Sequence, residues 1–291
     1  MELLWYCSAK NVTIPPMTRC FVLCLFGIGM VFSVGCQINR SFAPMSPSQI
    51  IGSERGRQGI SALERGNLTE AEKRLEDAVK LNKNDINHRR YYAEVLWQQE
   101  KYQEALLQLN EAVKRGGQNN ASLHISLAEK YLAIREYSAA YQHADEAVRL
   151  ESQNSRSWAL RGKALWLQAT QQTRDAEQMT AMLRQAREDY LRAVPLAPQD
   201  RELLAELAAI QMRCGQPEQA WATWQTVQSL YPQGSEPAEV LFGKAETLTV
   251  LRRFDEARAN LTAIRQRGTE NPETEQKLQA MMAATQGGNW R

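Results

Sequence analysis

The stretch YYAEVLWQQEKYQEALLQLNEAV, Tyr91 to Val113, decides how this chain folds, because its spacing of small and large apolar residues recurs before and after it. Ala93 and Ala105 stand twelve apart, Leu109 and Ala112 follow, and Tyr102 lies at the turn between the halves. At about 3.6 residues per turn this pattern makes two short amphipathic helices in a hairpin, with small side chains where the helices must touch and large ones filling the space between. One period upstream the same signature is Gly59, Leu68, Ala71, Leu75 and Ala78, and the step from Ala71 to Ala105 is 34 residues.

A helix-turn-helix unit recurring every 34 residues with these small and aromatic positions resembles the tetratricopeptide repeat. The resemblance implies an all-α fold, a right-handed α-solenoid of stacked hairpins with a C-terminal capping helix. Six repeats are expected over residues 52–270, the first from Gly52 to Asp85 and the second from Ile86 to Asn119. The third carries Ala128, Tyr137, Ala140 and Ala147 one residue late, the surplus being absorbed in the Gly-Asn loop 116–120. The fourth opens with Trp158, Gly162 and Leu165 and closes with Ala186, Tyr190 and Ala193, a step of 24 from Gly162 to Ala186 where the other repeats have twelve. Both helices of this hairpin, about 155–200, are therefore expected to be lengthened. The fifth and sixth repeats centre on Ala208 with Ala220 and on Ala245 with Ala257. Asn271-Pro272-Glu273 has the cap and first-turn chemistry to begin the capping helix, 271–285, which leaves 286–291 as a tail.

The chain begins differently. Cys20 to Val34, CFVLCLFGIGMVFSV, is an uncharged apolar run with Arg19 before it and Gly35-Cys36 after it. It is short for a membrane span, which needs about 20 residues, and suits the apolar region of a signal peptide. Ser33, Val34 and Gly35 ahead of Cys36 resemble a bacterial lipobox, with Ser33 where Leu is usual. The resemblance implies that residues 1–36 are a signal and that Cys36 is the lipid attachment site; an uncleaved anchor and plain secretion are the alternatives. Met17 starts a more compact signal than Met1 does, and residues 37–51, with their Ser and Pro, read as a tether.

A net charge of +2 over 291 residues carries no bulk bias toward nucleic acid, and no nucleic-acid partner is expected. Only Cys214 of the five cysteines falls in the repeats, so packing alone must hold the array. His88, His124 and His143 are taken as scattered over separate repeats without metal-ligand spacing, and neither a metal nor a cofactor is expected. No glycine-rich phosphate loop, GxSxG or HExxH occurs, and the repeats consume nearly every residue from Gly52 onward, so no enzyme is expected. An envelope enzyme subunit is the least favoured alternative; its site would need Arg174, Asp175, Glu177 and Arg184 of the long hairpin to converge.

Binding is the chemistry left. In the family this chain resembles, the first helix of each repeat lines a concave groove at its second, fifth, ninth, twelfth and thirteenth positions. Carried over residue by residue, with Gly59 as an eighth position, these are Ser53 and Ile60, then Arg90, Glu94 and Trp97, then Glu129 and Leu132. Further along they are Lys163 and Trp166, Met212 and Arg213, then Phe242 and Glu246. A groove mixing aromatic and apolar residues with both signs of charge suits an extended peptide or an amphipathic helix of a protein partner. Trp97 and Trp166 are read equally as packing between helices. The Asn residues with which some relatives grip a terminal carboxylate are missing here. The function expected is a non-enzymatic interaction scaffold tethered in the bacterial cell envelope, facing the periplasm; an uncleaved single-span anchor presenting the repeats to cytoplasmic partners is the alternative.

Overall fold

The computed structural model describes residues 46–268 and 272–287. Cys36, the apolar run 20–34, the Met17 start, the tether up to residue 45 and the tail beyond 287 lie outside the described residues. Helix α1 spans Pro47–Glu64, α2 Leu68–Leu81, α3 Ile86–Gln98, α4 Tyr102–Ala112, α5 Ala121–Ala133 and α6 Tyr137–Leu150. Then come α7 Ser155–Gln171, α8 Ala176–Ala193, α9 Arg201–Arg213, α10 Pro217–Ser229, α11 Ala238–Val250, α12 Phe254–Arg267 and α13 Pro272–Gly287. Among the described residues there is no strand. Each odd helix from α1 to α11 packs antiparallel on the helix that follows it, and α13 closes the row against α12.

The hairpins form because small residues sit where backbones meet. Gly59, Ala93, Ala128, Gly162, Ala208 and Ala245 of the first helices are all buried, as are Ala71, Ala105, Ala140, Ala186, Ala220 and Ala257 of the second. Two of these positions admit no side chain at all. A Cβ on Gly59 would stand 2.6 Å from Leu75 Cγ, and one on Gly162 would stand 2.9 Å from the Tyr190 ring and 3.0 Å from the Ala186 carbonyl. Large side chains then fill the spaces between hairpins: Leu75, Leu96, Leu109, Leu127, Tyr190, Ile210, Leu248 and Leu261 are all sealed from water. Their clusters follow one another along the chain, so the core is a strip rather than a sphere.

Local chemistry sets the ends of the helices. Asp85, Asn120, Asn154 and Asp200 cap α3, α5, α7 and α9 by accepting a backbone N–H in the first turn. Inside the short hairpins the turn needs one residue at positive φ, supplied by Gly66, Glu100, Arg135, Gly215 and Arg252. Three of these are not glycine, and at Glu100 φ is 62°.

Three expectations are corrected or sharpened. Helix α1 begins at Pro47, inside the stretch assigned to the tether: Ser46 is an N-cap in a capping box with Gln49, and Pro47 takes the first turn, where its missing N–H costs nothing. The surplus residue of repeat three falls in a kinked turn, Val113–Gly117, that ends α4: Arg115 and Gly116 leave helical φ/ψ there, Gly116 at φ 115°, so the turn runs into the expected Gly-Asn loop. In repeat four α7 and α8 run to 17 and 18 residues, joined by the turn 172–175. There Arg161 ties hairpins together, with a bidentate pair to buried Asp189 of α8 at 2.7 and 3.0 Å and a third contact to Asp145 of α6 at 2.6 Å.

Candidate partner-binding groove

The odd helices share one face of the row, and the charges expected to await a partner there are largely spent on one another. Glu94 of α3 pairs with Lys130 of α5 at 2.9 Å, Glu129 of α5 pairs with Arg156 of α7, and Lys163 of α7 pairs with Glu206 of α9 at 2.6 Å. Burial pushes the Glu94 carboxyl up, but hydrogen bonds donated by Lys130 and Gln98 outweigh it and hold the group below the ordinary carboxylate range. Glu206 also accepts from the Tyr190 hydroxyl at 2.9 Å, which anchors α9 to α8.

Between these pairs the face opens. Helix α1 packs on α3, α5 on α7 and α9 on α11, whereas α3 with α5, and α7 with α9, approach less closely and leave space. A cavity of about 600 Å³ lies across α5, α7 and the start of α9. Glu129, Leu132 and Lys163 line it together with Arg156, Ala159, Leu160, Asp200, Glu202, Leu203 and Glu206. A smaller one of about 220 Å³, between α3 and α5, is lined by Arg90, Tyr91, Glu94, Ser126 and Lys130. Arg90 donates to Ser122 at 3.2 Å. A third, of about 670 Å³, lies at the end of the row where Glu246, Val250 and Phe254 meet Lys277 and Met281 of α13.

The other sequence-predicted residues are placed differently. Phe242 is buried at 5% exposure in the last core cluster, under Lys277 Nζ at 4.8 Å, so it contributes packing and not groove surface. Leu278, Met281 and Met282 of α13 complete the cluster around it. Trp97 and Trp166 are half-buried against the core, Trp97 also lying against Tyr102 with Lys130 Nζ 4.6 Å from its ring. Ser53 is turned back onto its own helix, donating to the Gln49 carbonyl, and Ile60 packs on the first core cluster. Met212 is half-buried and Arg213 exposed, and neither borders these three cavities.

Arg156 and Glu202 stand at the second position of their repeats, as Ser53 does in the first, so the sequence register reaches them. Lys130 and Tyr91 lie outside that register, and only packing brings them to the groove. The histidines need a correction. His124 of α5 and His143 of α6 belong to one hairpin, with their Nδ1 atoms 3.1 Å apart, and Tyr131 stacks on the His143 ring. Burial, reinforced by His124, pushes the His143 pKa down to about 4. Among the described residues no group of three or more His, Cys, Asp or Glu side chains could hold a metal ion. Arg174, Asp175, Glu177 and Arg184 are all exposed, and Asp175 serves as the N-cap of α8. No helix among the described residues is long and apolar enough to cross a membrane.

A tetratricopeptide-repeat family profile matches residues 57–121. No curated protein matches the chain. Among solved structures, PilF of Pseudomonas aeruginosa is 17% identical with a TM-score of 0.63, over 81% of this chain and 99% of its own. PilW, described as a widely conserved type IV pilus biogenesis factor, is 15% identical with a TM-score of 0.64, over 78% of this chain and 98% of its own. YrrB, described as a repeat protein with an unusual peptide-binding site, is 16% identical with a TM-score of 0.52, over 73% of this chain and 95% of its own. At these identities the likeness is one of fold.

Proposed function

We propose, from the premise that this chain is a tetratricopeptide-repeat protein and hence a scaffold for protein–protein interaction, that it is an assembly adaptor tethered to a bacterial envelope membrane through Cys36. On this reading it holds an extended peptide or amphipathic helix of a partner on the face of the odd helices. The observation that carries the groove is the 600 Å³ cavity across three successive hairpins, which brings Glu129, Leu132 and Lys163 to one place. A site of that size with an apolar floor of Leu132, Ala159, Leu160 and Leu203 accepts side chains of a partner rather than a whole domain. The pilus factors PilF and PilW lend the envelope setting by fold likeness, and YrrB lends the peptide.

Photo-crosslinking separates the faces. A benzophenone residue replacing Ala159, in the cavity, is expected to capture a partner in envelope fractions that the same probe at exposed Leu107 of α4 does not. Equal capture at both positions would refute the groove. For the tether, metabolic labelling with a fatty acid is expected to mark the wild type and not Cys36→Ala. An unlabelled wild type leaves the uncleaved anchor, which protease access in spheroplasts then distinguishes.

A further inference from the structure

The two cavities that flank α5 carry opposite charge. The smaller holds Arg90 and Lys130 against one carboxylate, Glu94. The larger holds Glu129, Asp200, Glu202 and Glu206 against Arg156 and Lys163. Once the three cross-helix pairs are set aside, Arg90 remains on one side, and Asp200 with Glu202 on the other. Asp200 Oδ1 accepts the Leu203 N–H, and Glu202 is exposed.

Helix geometry makes α5 the bridge between them. At about 3.6 residues per turn, Ser126 and Lys130 share one flank of α5, Glu129 and Leu132 share the other, and Ser122 and Ala133 fall between. Ser122 and Ala133 are exposed and small, so a chain can cross the ridge close to the helix. Neighbouring helix axes lie about 8–10 Å apart, so the path from Arg90 on α3 over α5 and α7 to Asp200 and Glu202 at the start of α9 is three such steps, roughly 24–30 Å, which an extended chain advancing about 3.3 Å per residue covers in about eight residues.

We infer that the partner segment is an extended peptide of paired opposite charge, with a carboxylate side chain against Arg90 and, about eight residues away, a Lys or Arg side chain in the Asp200–Glu202 cavity. An apolar residue between or beside them rests on Leu132 and Leu160. This rests on the groove reading above and adds to it the chemistry and charge order of the ligand. Complementary charge at exposed positions contributes little raw affinity, but the wrong sign costs much more, so the pair selects orientation and partner.

Selection of random twelve-residue peptides displayed on phage, against the immobilised full chain, tests it. The enriched peptides are expected to carry an acidic and a basic residue about eight positions apart. Glu202→Lys is expected to weaken a synthetic winner at least about tenfold and to favour its Lys→Glu counterpart, and Arg90→Glu is expected to do the same for the acidic end. That exchange of preference distinguishes recognition from damage to the fold, since a misfolded array binds neither peptide. Winners without charge pairing, or winners indifferent to both reversals yet blocked by Ala159→Trp, would overturn the inference and leave the groove standing. No enrichment at all, or winners indifferent to Ala159→Trp, would overturn both.

Discussion

At the scale of single residues, the same small position in each hairpin carries different tolerances. Ala93 and Ala128 already hold a Cβ at the contact, while Gly162 faces the ring of Tyr190, which is itself sealed from water and hydrogen-bonded to Glu206. Neither the ring nor the Ala186 carbonyl can retreat. Gly162→Ala is therefore expected to destabilise the chain by about 1–2 kcal/mol in urea unfolding, despite the better helix propensity of alanine. The opposite sign is expected at Glu100. It occupies, at φ 62°, the place that Gly66 takes in the first hairpin, so Glu100→Gly relieves backbone strain and is expected to stabilise by about 0.5–1 kcal/mol. A lowered thermal midpoint would contradict that account of the turn.

At the scale of elements, the hairpin α5–α6 is the acid-sensitive unit. Burial first, and the neighbouring His124 second, depress the His143 pKa from 6.5 to about 4, so the unfolded chain binds a proton there that the folded hairpin refuses. Stability from this group is complete above about pH 6.5 and is lost as pH falls toward 4, by about 2–3 kcal/mol after allowance for solvent screening. Unfolding midpoints followed from pH 7 to 4 should show this slope, and His143→Gln should flatten it. A variant with an unchanged slope would assign the acid sensitivity elsewhere.

At the scale of the molecule, the strip-like core makes its ends matter. Leu278 of α13 is sealed from water against Leu261 and Ile264, and Arg258 donates to the Thr285 carbonyl at 3.2 Å. A chain ending before Pro272 is expected to lose protection from hydrogen exchange in α11 and α12 and to bind a hydrophobic dye, with α1 to α6 unaffected, because each hairpin rests chiefly on its neighbours. Uniform loss of protection along the row would show longer-range cooperativity than stacked contacts supply. The three cross-helix ion pairs belong to this scale too, since each joins successive hairpins across the face a partner would meet.

Much of this was written in the chain, and the divide has a physical cause. The repeating interval of Gly59, Ala93, Ala128, Gly162, Ala208 and Ala245 determined an all-α stack of hairpins, because side-chain size at a helix contact is a local property that recurs with the repeat. The doubled step in repeat four likewise marked its long helices. Tertiary structure alone decided which charges remain free. Register puts Glu94, Glu129 and Lys163 at groove positions, but their partners Lys130, Arg156 and Glu206 come from neighbouring hairpins. The same is true of Phe242, hidden by a helix whose position no interval encodes, and of the meeting of His124 with His143. Pairing and burial depend on distances between elements, and a one-dimensional period says which residues share a helix face but not what stands opposite it.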